Sequence, residues 1–222
     1  MECQPASLSL GARYKLVTGL VVPRPIAVVS TVSIEGMTNV APFSYFTIAS
    51  HDPLMLAFTI TGRKPDGSPK DTLRHVRPAA EGGTGEFVVN VAIETYGAQM
   101  VRSSAPLPAG RSEFEAARLT PQPSRAVRPP RVGEAPAWFE CRTWQVLPVG
   151  PQASLVLGEV VHLGVRDDLV TAAGQIDFGR LGAVGRLAGT TYCRLSDRFD
   201  LPDEGFFPAR AGTAPIDPRE AA

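Results

Sequence analysis

Two nearly unbroken apolar runs, Ala27–Val32 and Leu54–Ile60, constrain this chain more than any other feature. A strand with one wet face alternates apolar and polar residues; these two do not, so each predicts a strand buried on both faces. Something must therefore cover both sides of the sheet that holds them. Further runs rich in Val, Ile, Thr and aromatics extend the set of predicted strands to Ile26–Val32, Phe43–Ala49, Leu54–Ile60, Glu86–Ile93, Trp138–Leu147 and Leu155–Val165. Turn chemistry such as Glu35-Gly36 and Asp66-Gly67 separates them, and 21 prolines and 21 glycines punctuate the whole.

Helical signals are fewer. Asp71 reads as an N-cap for Thr72–Arg77, Ser112 and Glu115 form an S-x-x-E capping box, and 94–103 has weak helical character. The expected architecture is mainly β, a β-barrel with short peripheral helices rather than a βαβ sheet. At 222 residues the chain fits one domain, residues 1–222, with a core of about 15–200. The tail from Pro202 is polar and proline-rich, and Phe206 and Phe207 are its apolar anchors.

Charge and cysteine usage exclude several classes. Lys plus Arg and Asp plus Glu are equal at 22 each, so no field of one sign favours nucleic acid or an anionic membrane. The N-terminus lacks the pattern of a signal peptide, and no run reaches the roughly 20 apolar residues of a membrane helix; a soluble, cytoplasmic protein is expected. Three cysteines (Cys3, Cys141, Cys193) lack paired spacing, which argues against a disulfide framework or a zinc site, and Cys141 reads as a core residue.

Three clusters carry candidate chemistry. The loop GRKPDGSPKDT supplies Arg63, Lys64, Lys70 and Thr72 between a buried strand and a helix start, an arrangement suited to a phosphate. Read alone, it also fits a solvated loop. Asp71 is its awkward member, since a carboxylate beside phosphate repels; it is expected to cap the helix or to orient Lys70. The stretch Asn39-Val40-Ala41-Pro42-Phe43-Ser44 is small enough for a planar ring to approach the backbone, yet equally suits a strand leaving a turn. Strand alternation would put Phe43 and Tyr45 on one face and Ser44 and Phe46 on the other. Last, VGRLAGTTY flanks Arg186 with Gly185 and Gly189, either a close-approach loop or a simple glycine turn.

Adjacent Ser50, His51 and Asp52 do not make a triad, because consecutive residues on extended chain point to opposite faces. No G-x-S-x-G elbow or Rossmann fingerprint occurs, so any nicotinamide must dock without that fold. His75 and His162 read as structural.

Taken in order, PRPIAVVST, GMTNVAPFSYF, DGSPKDT, GEFVVNV, EFEAARLTPQPS, PPRV, ECR, LVLGEVV and VGRLAGTTY resemble the flavin reductase-like, FMN-binding split-barrel proteins over about residues 15–200. The resemblance implies a six-stranded Greek-key split barrel and a homodimer with FMN at or near the subunit interface. It implies that Asn39, Val40, Ala41, Pro42, Phe43 and Ser44 edge the isoalloxazine, and that Arg63, Lys70, Asp71 and Thr72 surround the phosphate. Ser30 and Thr31 are implied as additional contacts, and Arg186, Gly189 and Tyr192 as a late motif near the flavin or the dimer seam. Two departures stand out: Arg77–Thr84 is longer than the usual linker and is expected to reshape the pocket rim, and His75 replaces an expected Asn.

The implied activity is an FMN-dependent oxidoreductase with NADH or NADPH as hydride donor to flavin N5. The cofactor does the hard chemistry, so no catalytic acid or base is needed and none is seen. Main-chain amides around Ala41–Ser44 are expected to stabilise the reduced ring at its N1–O2 edge. The alternative is an FMN-binding electron carrier reduced by a protein partner. A scaffold with an empty flavin site is disfavoured by the intact NVAPFS and KDT motifs, and nothing in the residues points to a partner monooxygenase.

Overall fold

Burial on both faces is what the first apolar run demands, and β1 (Ala27–Val32) is buried at every residue. The computed structural model describes residues 2–108 and 110–201. The proline-rich tail and its Phe206 and Phe207 lie outside the described residues. After β1 come β2 (Thr38–Phe43), β3 (Phe46–His51), β4 (Leu54–Thr61) and β5 (Glu86–Val91). Two short strands follow, β6 (Pro121–Gln122) and β7 (Arg131–Val132), paired with each other, and then the long hairpin of β8 (Ala137–Gly150) and β9 (Ala153–Val165). A last small hairpin joins β10 (Val184–Arg186) to β11 (Tyr192–Arg194).

The main sheet is antiparallel with seven strands in the order β2-β1-β5-β8-β9-β4-β3. Its two outer strands, β2 and β3, are consecutive in the chain and linked only by Ser44 and Tyr45. Laid flat, that order would hold the edges roughly 29 Å apart at about 4.8 Å per strand. The link reaches roughly 11 Å at about 3.8 Å per peptide step. The sheet must therefore curl until its edges meet, and at the join the Thr59 amide donates to the Tyr45 carbonyl at 2.8 Å. This is a split barrel, as expected, with seven strands instead of six.

The extra strand corrects the predicted Phe43–Ala49. That run breaks at Ser44-Tyr45, where the chain leaves one sheet edge and enters the other. Alternation fails at the same place: Phe43 is buried in the barrel while Tyr45 is exposed.

Inside the barrel, Phe58 packs between Phe43 and Phe87 with ring centroids 5.2 and 5.3 Å away. Gly158 makes room for this stack, since a Cβ there would stand 2.2 Å from the Phe87 ring. Cys141 belongs to this interior, as predicted. A second core covers the barrel's outer side, where Ile26, Val28 and Val40 meet Tyr96, Met100 and Phe114.

Among the described residues five short α-helices surround the barrel: α1 (Leu10–Leu20), α2 (Asp71–His75), α3 (Gly97–Arg102), α4 (Glu113–Ala117) and α5 (Phe178–Leu181). No helix among the described residues is long and apolar enough to cross a membrane. Two predicted caps are corrected. Lys70, not Asp71, occupies the N-cap of α2, and Asp71 sits in the first turn, where its carboxylate binds Lys64 and Arg74. Ser112 does precede α4, but its hydroxyl meets Thr38 Oγ1 at 2.8 Å instead of closing a capping box. The long Arg77–Thr84 segment lines none of the described cavities. It folds under the end of α2, where the amides of Thr84 and Gly85 donate to the His75 carbonyl at 2.8 and 3.2 Å.

Candidate functional site

Sheet closure brings the β2 edge against the loop that starts α2. The contact that joins them is a buried polar cluster. Asn39 Nδ2 donates to Thr31 Oγ1 at 3.1 Å and to Thr72 Oγ1 at 3.0 Å, and His75 Nδ1 lies 2.9 Å from Thr31 Oγ1. All four side chains are buried, so each hydrogen bond replaces one that water no longer supplies. Burial is the main cause that lowers the His75 pKa, which keeps the imidazole neutral at neutral pH. His75 is thus a fixed member of the cluster.

Beside it lies a cavity of about 140 Å³ whose wall includes Asn39, Ala41, Pro42, Phe43, Arg63, Lys70, Asp71 and Thr72. Eight of the predicted residues therefore converge. Lys64, Pro65, Glu113 and the segment after α3, Ser103–Leu107, complete the wall. Charges here are unevenly matched. Lys64 and Arg74 clasp Asp71. Lys70 is half-buried, its pKa lowered by desolvation, and no carboxylate among the described residues pairs with it. Arg63 donates to the Gly67 carbonyl at 3.1 Å and also lacks an acidic partner among them. Burial pushes the Glu113 carboxyl up to about 7, with the neighbouring Asp71 charge adding to the effect. A desolvated ammonium and a guanidinium without counter-charge fit a phosphate, while Asp71 is already neutralised by its own cations.

A larger cleft, about 440 Å³, adjoins this cavity and shares Pro42 and Ser104 with it. Ser44, Arg186, Gly189 and Tyr192 all line it. The Arg186 guanidinium donates to the Tyr192 hydroxyl and the Gly189 carbonyl and lies 4.5 Å from the Tyr192 ring centroid, so these three form one unit. Tyr45 stands at the edge of the cleft.

Two predicted residues fall elsewhere. Ser30 is fully buried on the opposite side of β1 from Thr31, where its hydroxyl donates to the Pro130 carbonyl at 2.6 Å and accepts from Asn90 at 3.1 Å. The Val40 side chain is in the outer core. Sequence reasoning missed α1, which brings Tyr14 and Thr18 to the cleft, although Ser9 caps it through the Ala12 amide at 3.2 Å. It also passed over Arg24, set between two prolines in the PRP run, which reaches Ser44 Oγ at 3.4 Å. Ser50 Oγ bonds the Asp52 backbone rather than His51, consistent with the absence of a triad.

The chain is thus a closed antiparallel split barrel with a cation-lined cavity where its outer strands join. The chain belongs to the flavin reductase like domain family, which it matches over residues 19–180. Among solved structures it is similar to nitrilotriacetate monooxygenase component B from Bacillus cereus, 36% identical, with 90% of this chain and 98% of that one covered and a TM-score of 0.82. It is also similar to the 2-nitrobenzoate 2-nitroreductase of Pseudomonas fluorescens, 32% identical, covering 96% of this chain and 100% of that one at a TM-score of 0.77. A Shewanella frigidimarina protein with a split barrel domain, 22% identical over 91% of this chain and 99% of its own, shares the fold at a TM-score of 0.77.

Proposed function

We propose that this protein is an FMN-binding oxidoreductase, a flavin reductase in which NADH or NADPH gives a hydride to flavin N5. One observation carries the reading: Asn39 bonds Thr72, fastening the strand expected to edge a flavin ring to the helix start that bears Lys70. Bound FMN would supply the two-electron chemistry; the protein's residues bind and orient it. Lys70 and Arg63 would hold the phosphate as charged donors, and Thr72 is fixed beside them by Asn39. Ala41 to Ser44 would edge the ring through their backbone, with Pro42 donating nothing because it has no N–H. Similarity to a nitroreductase and to a monooxygenase component supports redox chemistry.

The functional unit is proposed to be a homodimer. Exposed apolar side chains such as Ile48, Trp144 and Leu163, 59%, 64% and 51% exposed, are consistent with a covered surface. Sedimentation equilibrium tests this, and a monomeric mass would reject it.

The test of function is the visible spectrum of the protein with stoichiometric FMN, recorded without oxygen before and after NADH and then NADPH. Rapid bleaching by either nucleotide is expected and names the donor. A bound flavin that neither bleaches would overturn the reductase reading in favour of an electron carrier. The likeness to a monooxygenase component favours a second reading, in which reduced flavin passes to a partner monooxygenase.

A further inference from the structure

We infer that His75 is a positioning residue for the cofactor phosphate: by accepting the Thr31 hydroxyl it sets a hydrogen-bond relay that leaves the Thr72 hydroxyl to donate into the smaller cavity. The inference rests on the flavin reading for the identity of the phosphate, and on the polar cluster alone for the direction of the relay.

A hydroxyl has one hydrogen to give and two lone pairs that receive. Asn39 Nδ2 can only donate, and it does so to Thr31 Oγ1 at 3.1 Å and to Thr72 Oγ1 at 3.0 Å. Thr31 is fully buried, and its other partner is His75 Nδ1, 2.9 Å away. The Thr31 hydrogen must therefore go to Nδ1 or stay buried without an acceptor, which is the costlier state. A neutral imidazole carries one N–H, so its hydrogen sits on Nε2. The ring's surroundings agree with that assignment. His75 also lines a neighbouring cavity of about 200 Å³ whose wall carries Glu35, Asp71 and Glu113, and carboxyl groups suit a ring edge that bears hydrogen.

Thr72 is the other end of the relay. It is buried, accepts from Asn39 and donates to no acceptor among the described residues. Because it shares the wall of the smaller cavity with Lys70 and Arg63, its hydrogen is available to an anion there. Lys70 offers a point charge; Thr72 adds a donor whose oxygen is fixed in place by Asn39. Both ends of the relay belong to α2, while β1 and β2 supply its middle through Thr31 and Asn39. The opposite polarity would undo this. With hydrogen on Nδ1, His75 would donate to Thr31, both hydroxyls would turn to an Asn39 oxygen, and no hydrogen would point into the cavity.

Two measurements test the relay. Nitrogen-15 NMR of the imidazole rings, at about pH 7.5 and so above the ordinary imidazole value, reads the tautomer in the wild type. The protein has three histidines, and the signals lost in His75→Asn are those of His75. Hydrogen on Nε2 is expected; hydrogen on Nδ1 overturns the inference whether or not flavin binds. Fluorescence titration with FMN and with riboflavin, which lacks the phosphate, reads the consequence. In His75→Leu the affinity for FMN should fall about tenfold, the scale of one hydrogen bond to a charged group, while that for riboflavin changes less than about twofold. His75→Asn should recover FMN binding, because Asn Oδ1 hangs from Cγ as His Nδ1 does and accepts from Thr31 in the same way. Thr72→Val should lose as much as His75→Leu, and combining the two should cost little more.

Unchanged FMN affinity in His75→Leu, an equal loss for riboflavin, or no recovery in His75→Asn overturns the inference, since a merely structural role would weaken both flavins alike. Should His75→Leu not fold, Thr31→Val breaks the relay one step later and must show the same split between FMN and riboflavin. A wild type that binds neither flavin sinks the flavin reading and leaves the relay to stand or fall with inorganic phosphate, whose affinity must then drop in the same variants.

Discussion

At the smaller cavity Asp71 is clasped by Lys64 and Arg74 with Glu113 beside it, whereas the larger cleft sets Arg24 against Arg186 with no acid in its wall. The first arrangement comes chiefly from one loop and one short helix, with Glu113 added from α4. The second joins residues from opposite ends of the chain. The difference lies in how positive charge is prepared. At the smaller cavity two cations hold a carboxylate and leave Lys70 and Arg63 without an acidic partner among the described residues. In the cleft no acid lines the wall, and Arg24 is held by the carbonyls of Thr18, Val21 and Leu187.

Removing the hub of the polar cluster should have the largest effect. Asn39→Ala takes the amide donor from the buried hydroxyls of Thr31 and Thr72 and should cost about 3 kcal/mol in urea unfolding. A loss below about 1 kcal/mol would mean that the cluster does not organise the smaller cavity. Next, Lys70→Ala should weaken FMN binding by about 2 kcal/mol, roughly thirtyfold, in a fluorescence titration. It should slow reduction of flavin that does bind much less. If Arg186→Gln weakened FMN equally, the contrast between the two ends would collapse.

Glu113 gives a smaller, pH-dependent effect. Its folded pKa of about 7 lies above the ordinary 4.5, so its contribution to stability is full below about pH 4.5 and is lost as pH rises through about 7. Over the upper part of that window its carboxylate also ionises in the wall of the smaller cavity, near Asp71 and Lys64. FMN affinity in the wild type should therefore fall relative to Glu113→Gln by about fivefold from pH 6 to pH 8, the scale of one screened like-charge contact. Parallel pH profiles for the two proteins would exclude this role. The smallest effect belongs far from both ends. Thr143 Oγ1 is the only buried side-chain N or O atom without a hydrogen-bond partner among the described residues. Thr143→Val should stabilise by less than about 1 kcal/mol in thermal unfolding and leave FMN binding unaffected.

The strands were legible because burial leaves a period in the residues. β1 and β4 read correctly from their apolar runs, and the β8–β9 hairpin appeared with ends a few residues short. The boundary inside Phe43–Ala49 was not legible, since Ser44 and Tyr45 are ordinary strand residues whose role comes from closing the sheet. α1 was missed for a related reason: only Thr18 of its residues is buried, so it carries no apolar periodicity toward the core. Ser30 and Thr31 look alike in the sequence, and only the direction of β1 separates a hydroxyl held by Pro130 from one held by Asn39 and His75.

By itself, then, the sequence determined what short-range pattern can encode: which runs must be buried, which loop carries clustered cations, and, by motif order, the family. Tertiary structure alone decided that Asn39 reaches Thr72, that Asp71 is neutralised by Lys64 and Arg74 instead of capping its helix, and that Arg24 faces Arg186. Burial preference is a property of each residue and survives in one dimension. Hydrogen-bond partners and opposed charges depend on distances that exist only once the barrel has closed.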